Sequence, residues 1–194
     1  MESLRLFVGI DTPAQVKELL DDLRATLARS GADVHWEQKA KLHCTLRFLG
    51  EVSGTLLDPL TKALESAVAG IGTLSLVYAG IGFFPDRSRP RILWIGIEES
   101  SGTLLRLQRQ LEGALIPLGV PTEGRPFHAH VTLGRIRSPR KLSLLLESAE
   151  SCTFQSPPVT VHEVNIVRSV LTPRGSVYSV LRSVPLAQAW TSCS

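Results

Sequence analysis

The sequence predicts a mixed helix-and-strand fold in which one unit is used twice. Apolar clusters rich in β-branched residues recur along the chain, helical periodicity fills several gaps between them, and the order of elements in the first half returns in the second. With 194 residues, 43% of them hydrophobic, the chain can bury one substantial core or two small lobes that share one.

Strands are expected at 4–10 (LRLFVGI), 42–49, 74–82 (LSLVYAGIG), 91–97 (RILWIGI), 129–136, 159–170 and 176–185. Helices are expected at 13–29, 54–69, 102–116 and 139–150. The first opens with Pro13 behind Asp11 and Thr12, the pattern of a cap followed by a first-turn proline. Strand 4–10, helix, strand 42–49, helix and strand 74–82 match strand 91–97, helix, strand 129–136, helix and strand 159–170 in order. LESA recurs at 64–67 and 146–149, although this is ordinary helix composition and coincidence explains it as well. FFPDRSRPR (83–91) lies between the halves as the natural crossover. One domain with two pseudo-symmetric lobes, approximately 1–85 and 86–194, is therefore expected.

Formal net charge is +3, a mild excess that suits a phosphate-bearing partner without demanding one. The opening MESLRLFVGID has an acidic second residue and an apolar run too short for a secretory signal, and no stretch approaches the roughly 20 apolar residues of a membrane span. Cys44, Cys152 and Cys193 are odd in number with no C-x-x-C among them. A cytoplasmic protein with no membrane segment is expected.

Two short stretches carry chemistry: LHCTLRFLG (42–50) and HVTLGRI (130–136). Side chains i and i+2 of a strand share a face. His43 and Thr45 therefore point one way while Cys44 and Leu46 pack the other, and His130 and Thr132 repeat the arrangement in front of Val131 and Leu133. A single His-x-Thr is more often a pair of satisfied polar groups near a strand end. Two copies at matching places in a duplicated unit let both imidazoles enter one cleft. Histidine titrates near pH 6.5, so one ring can serve as base and the other as acid. Displacement at phosphorus needs those functions on opposite sides of the reacting atom, with hydroxyl donors for the charged oxygens between them. No metal or cofactor is required by this scheme. A zinc site is the competing reading, because His128 and His130 share a face and His43 could join them. No carboxylate or cysteine completes that set at ligand spacing, and it leaves the threonines idle. His128 either lines the cleft mouth or sits exposed at the strand start, and His35 and His162 are expected to be structural or surface residues.

These stretches resemble the two His-x-Thr motifs of the 2H phosphoesterases, in particular the bacterial and archaeal RNA 2′,3′-cyclic phosphodiesterases also called 2′-5′ RNA ligases. The likeness extends to RLFVGIDTP as opening strand and turn, VHWEQKAKLHCTLRFLGEV around the first motif, RILWIGI as middle strand and VRSVLTPRGSVYSVLRSVPL as closing hairpin. It implies an α+β fold of two antiparallel sheets flanking a central cleft, with helices outside. It implies metal-independent opening of a 2′,3′-cyclic phosphate to the 2′-phosphomonoester, with RNA ends or nucleotides as partners. By motif, His43 would be the proton donor to the leaving 3′ oxygen and His130 the proton acceptor from water, with Thr45 and Thr132 on the phosphate. The residues alone leave those two roles exchangeable.

Two positions depart from the family pattern: Ala129 stands where proline is usual, and Cys44 where a branched aliphatic is common. Arg135 falls where relatives carry a phosphate-binding arginine. Alternation from His130 turns it away from the cleft unless a bulge at Gly134 redirects it. Arg47 shares the His43 face by parity or points to solvent at the strand end. Arg87, Arg89, Arg91, Arg125, Arg137 and Arg140 track an RNA backbone or are simply solvated, and Phe83, Phe84 and Phe127 either stack on bases or fill the core. Two other functions remain open, a module that holds a nucleotide or RNA end without turnover and a phosphodiesterase for another small cyclic phosphate. The chain is expected to act as a monomer.

Overall fold

A computed structural model describes residues 2–173 and 175–187; Cys193 lies outside the described residues. The elements in chain order are β1 (Ser3–Asp11), α1 (Ala14–Ala28), β2 (Val34–Trp36), β3 (His43–Ser53), α2 (Leu57–Val68), β4 (Leu74–Phe84), β5 (Ile92–Glu98), α3 (Thr103–Leu115), β6 (His130–Ile136), α4 (Leu142–Ser151), β7 (Val159–Val161), β8 (Glu163–Thr172) and β9 (Gly175–Pro185). This is the expected α+β class, and all the strand pairs named here are antiparallel.

The strands run in the order β7-β4-β5-β6-β3-β1-β8-β9, with β2 added against β6. The two expected sheets are thus halves of one continuous order. They meet at β3 and β6, the strands that begin with His43 and His130, through the single pair Cys44 and Val131. Sequence halves and sheet halves do not coincide, because β4 pairs with β5 and β8 with β1. The stretch expected as a crossover is instead the loop of the β4–β5 hairpin. Phe83 and Phe84 stay in register opposite Leu93 and Ile92, and Asp86 Oδ1 turns the chain by accepting from the backbone of Ser88 at 2.7 Å and of Arg89 at 3.1 Å.

One apolar core lies between sheet and helices. α1 buries Val16, Leu20, Leu23 and Leu27, the spacing of one helix face, and α3 buries Leu104, Leu107, Leu111 and Leu115 in the same way. Each fully buried leucine contributes about 1.5–3 kcal/mol. α2 packs on α3 and α1 on α4, so helices from opposite sequence halves pair as the strands do.

Three local expectations change. Pro13 itself occupies the N-cap of α1, and its ring has no acceptor with which to make a capping bond, while Asp11 pairs with Lys17 at 2.7 Å. The strand expected at 159–170 divides at exposed His162 into β7, at one edge of the order, and β8, between β1 and β9 toward the other end. β2 has three residues, too few for alternation to register, yet it brings Glu37 to the cleft.

Candidate active site

His43 and His130 open the two central strands, and both line one cavity of about 220 Å³ with Thr45 and Thr132. Arg5, Lys41 and Arg135 add cationic groups to its wall against the single carboxylate of Glu37. Such a wall attracts an anion.

Each imidazole is aimed by its own backbone. His43 Nδ1 donates to the carbonyl of Lys41 at 2.6 Å, and His130 Nδ1 donates to the carbonyl of His128 at 2.7 Å. A carbonyl can only accept, so Nδ1 carries the proton in both rings and Nε2 is left for chemistry. His43 Nε2 lies 3.0 Å from Thr45 Oγ1. The His43 ring stacks on Phe7 at 4.6 Å between centroids and meets the edge of Tyr178 at 5.3 Å. The His130 ring stands edge-on to Phe84 at 5.0 Å.

Burial lowers the pKa of both rings below 6.5. Opposing this, His43 has the Lys41 carbonyl and the carboxylates of Asp11 and Glu37 to support its charged form. His130 has the His128 carbonyl, but its charged neighbours are His128 and His43, which disfavour a proton. Of the two rings, only His43 has carboxylates that favour a proton, set against the Lys17 ammonium that pairs with Asp11 and disfavours one.

Both motif strands bulge at the same place. On β3, Thr45 pairs with Gly9 and Arg47 with Val8, leaving Leu46 without a partner on β1; on β6, Thr132 pairs with Trp94 and Gly134 with Leu93, leaving Leu133 without one on β5. Each bulge reverses alternation beyond the threonine. Arg135 is thereby turned into the cavity, the redirection coming one residue earlier than Gly134, and its Nε lies 3.5 Å from Glu37. The same reversal corrects the parity expectation for Arg47, which neither shares the His43 cavity nor points to solvent. Arg47 is 6% exposed and paired with Glu112 and Glu123, while Phe48 takes the cleft-facing place at 43% exposure.

A family model described as LigT like Phosphoesterase matches residues 10–94 and again 95–178. The chain belongs to the LigT-like phosphoesterase family. It is 32% identical over 170 residues to an RNA 2′,3′-cyclic phosphodiesterase of Aeropyrum pernix, covering 86% of this chain and 94% of that protein. It is 31% identical over 179 residues to one of Thermotoga maritima, covering 92% and 93%. Among solved structures, TT0787 of Thermus thermophilus superposes with a TM-score of 0.78 at 26% identity, covering 96% of this chain and all of that one. Escherichia coli LigT complexed with 3′-AMP superposes with a TM-score of 0.70 at 28% identity, with the same coverage of each chain.

In this LigT-like phosphoesterase a second, larger cavity of about 530 Å³ adjoins the first and shares Thr45, Phe48 and His130 with it. Phe84, Phe127, Arg91 and Arg125 line it, as does exposed His128. Phe83 is buried in the core. Arg87 reaches toward Glu150 at 3.5 Å, Arg137 toward His35 at 2.9 Å, and Arg89 lies with Arg137 on a separate groove. Among the described residues no three His, Cys, Asp or Glu side chains gather where they could hold a metal ion. No helix among them is long and apolar enough to cross a membrane.

Sequence reading missed Arg5, Glu37, Lys41, Phe48 and Tyr178 in the LigT-like site. Arg5 and Tyr178 arrive from β1 and β9, and only sheet pairing brings them beside His43. Lys41 carries a usable signal, since it stands two residues before the motif histidine as His128 does before the other.

Proposed function

We propose that the protein hydrolyses the 2′,3′-cyclic phosphodiester of an RNA end or nucleotide to the 2′-phosphomonoester, using His43 and His130 as an acid–base pair and no metal. The observation that carries this reading is two backbone-aimed imidazoles in one cationic cavity that Thr45 and Thr132 also line, with Thr45 Oγ1 3.0 Å from His43 Nε2. The names of the curated relatives supply the substrate class.

The reacting phosphorus sits between the rings. Water attacks it and gives its proton to His130 Nε2, the P–O3′ bond breaks in line, and His43 Nε2 protonates the departing 3′ oxygen. His43 is assigned as donor because Asp11 and Glu37 support its charged form, and His130 as acceptor because its charged neighbours are imidazoles. Thr45, Thr132 and Arg135 bind the non-bridging oxygens. Solvent exchange returns the proton to His43 and removes it from His130. A 5′-hydroxyl in place of water gives a 2′-5′ linkage by the same bond changes, which makes ligation the same reaction run with another nucleophile. We take the working unit to be a single chain whose two motif-bearing halves, approximately 1–85 and 86–194, arose by duplication. Free Cys44 and Cys152 support the reducing cytoplasm as its setting.

The test is incubation with an oligoribonucleotide ending in a 2′,3′-cyclic phosphate, in EDTA, with the product identified by phosphorus NMR. A 2′-phosphate is expected. An unchanged substrate would replace hydrolysis with simple binding.

A further inference from the structure

Arg47 marks the sharpest difference between the two motif strands, because the corresponding place on β6 is Gly134. Its guanidinium is buried and meets two elements at once. Nη1 donates to Glu123 Oε2 at 2.6 Å, Nη2 donates to the carbonyl of Pro121, and Nε lies 3.2 Å from Glu112 Oε1, close enough to pair though not aligned as a hydrogen bond. Glu112 belongs to α3 and also accepts from the backbone of Glu123 at 3.3 Å. Pro121 and Glu123 belong to the stretch 119–127, which has no helix or strand of its own and leads directly into His128 and His130. That stretch supplies Glu123, Arg125, Pro126 and Phe127 to the second cavity, whose wall Arg47 itself also reaches.

The contents of that cavity follow from its walls. It adjoins the cationic cavity, sharing Thr45, Phe48 and His130 with it, and it offers the rings of Phe84 and Phe127 beside Arg91 and Arg125. A flat, apolar-faced group with polar edges, tethered to the reacting phosphate, fits such a place. A nucleoside is such a group.

We propose that Arg47 is a positioning residue: by clamping Glu112 and Glu123 it holds the 119–127 stretch as the wall of a nucleoside subsite, and so sets the preference for a cyclic phosphate that carries a base. The proposal rests on the phosphodiesterase reading above. Removing the guanidinium takes away the cation shared by Glu112, half-exposed Glu123 and the Pro121 carbonyl, leaving the Glu123 N–H on Glu112 as the remaining tie of those described here, and the stretch loosens.

The experiment compares kcat and KM for adenosine 2′,3′-cyclic phosphate and for base-free glycerol 1,2-cyclic phosphate in the wild type, Arg47→Met, Arg47→Lys and Glu123→Gln. The wild type prefers the nucleotide. Arg47→Met raises KM for the nucleotide by about tenfold and narrows that preference. Arg47→Lys restores part of it, and Glu123→Gln, which removes one limb of the clamp, shifts it in the same direction and decides the matter if Arg47→Met does not fold. Equal losses on both esters would reduce Arg47 to a structural role and overturn the proposal, as would a wild type indifferent to the base. Hydrolysis of neither ester by the wild type would overturn the phosphodiesterase reading, and this proposal with it.

Discussion

His43 and His130 are held in the same way: each donates its Nδ1 proton to the carbonyl two residues earlier, at 2.6 Å and 2.7 Å. In both, the cleft-facing nitrogen is Nε2. What separates the rings is their company, carboxylates near His43 and imidazoles near His130.

That difference sets the pH dependence. On the proposed mechanism the productive free protein has His43 protonated and His130 neutral, and burial lowers both rings below 6.5. The profile of kcat/KM is therefore a bell centred below pH 6.5. A bound phosphate anion raises the His43 value, so the optimum for kcat lies at higher pH than that for kcat/KM. Coincident optima above neutral pH would contradict this. Stability follows the same sign. Folded-state values below 6.5 mean that the unfolded chain takes up the extra protons as pH falls through 6.5, so denaturant midpoints decline over that window and are flat above it.

Arg135 enters the cavity through the bulge at Leu133 and is 58% exposed, paired with Glu37. Arg135→Ala raises KM for the cyclic ester by roughly 10- to 100-fold, the range for a hydrogen bond to a charged group. Its denaturant midpoint stays near that of the wild type. Unchanged KM would remove Arg135 from the site.

Gly9 pairs with Thr45, and a Cβ there would stand 2.7 Å from the carbonyl oxygen of Cys44. Gly9→Ala pushes β1 off β3 beneath the first motif. A loss of about 1–3 kcal/mol in urea unfolding is expected, together with reduced turnover. Full stability in this variant would mean that the two strands are less closely apposed.

Cys44 is 1% exposed opposite Val131, and burial pushes its thiol up to about 12. The folded protein leaves Cys44 unmodified by iodoacetamide at pH 8, as read by peptide mass mapping, and labels it only after denaturation. Rapid labelling in the folded state would contradict its burial.

Within each motif tripeptide, strand alternation is a sound guide, and His43, Thr45, His130 and Thr132 were legible from it. Beyond the threonine it fails, because the bulges at Leu46 and Leu133 leave no mark in composition. Arg47 and Phe48 exchange the places that parity assigns, and Arg135 reaches the cavity against parity. The element list was readable because the strands are long and apolar. The sheet order was not, since the exchange of β4 and β8 between halves is settled by pairing across distant segments. Phe84 reaches the second cavity while Phe83 does not, a choice made by the facing of β4 rather than by residue type, and Phe127 reaches it from the 119–127 stretch.

The most direct test of the central claim is single-turnover hydrolysis of a 2′,3′-cyclic phosphate by His43→Ala, His130→Ala and the double variant. Each single change is expected to slow the chemical step by about 10²- to 10⁴-fold, and the double variant little further, because the two rings act as one unit. Wild-type rates in either single variant would contradict the acid–base pair.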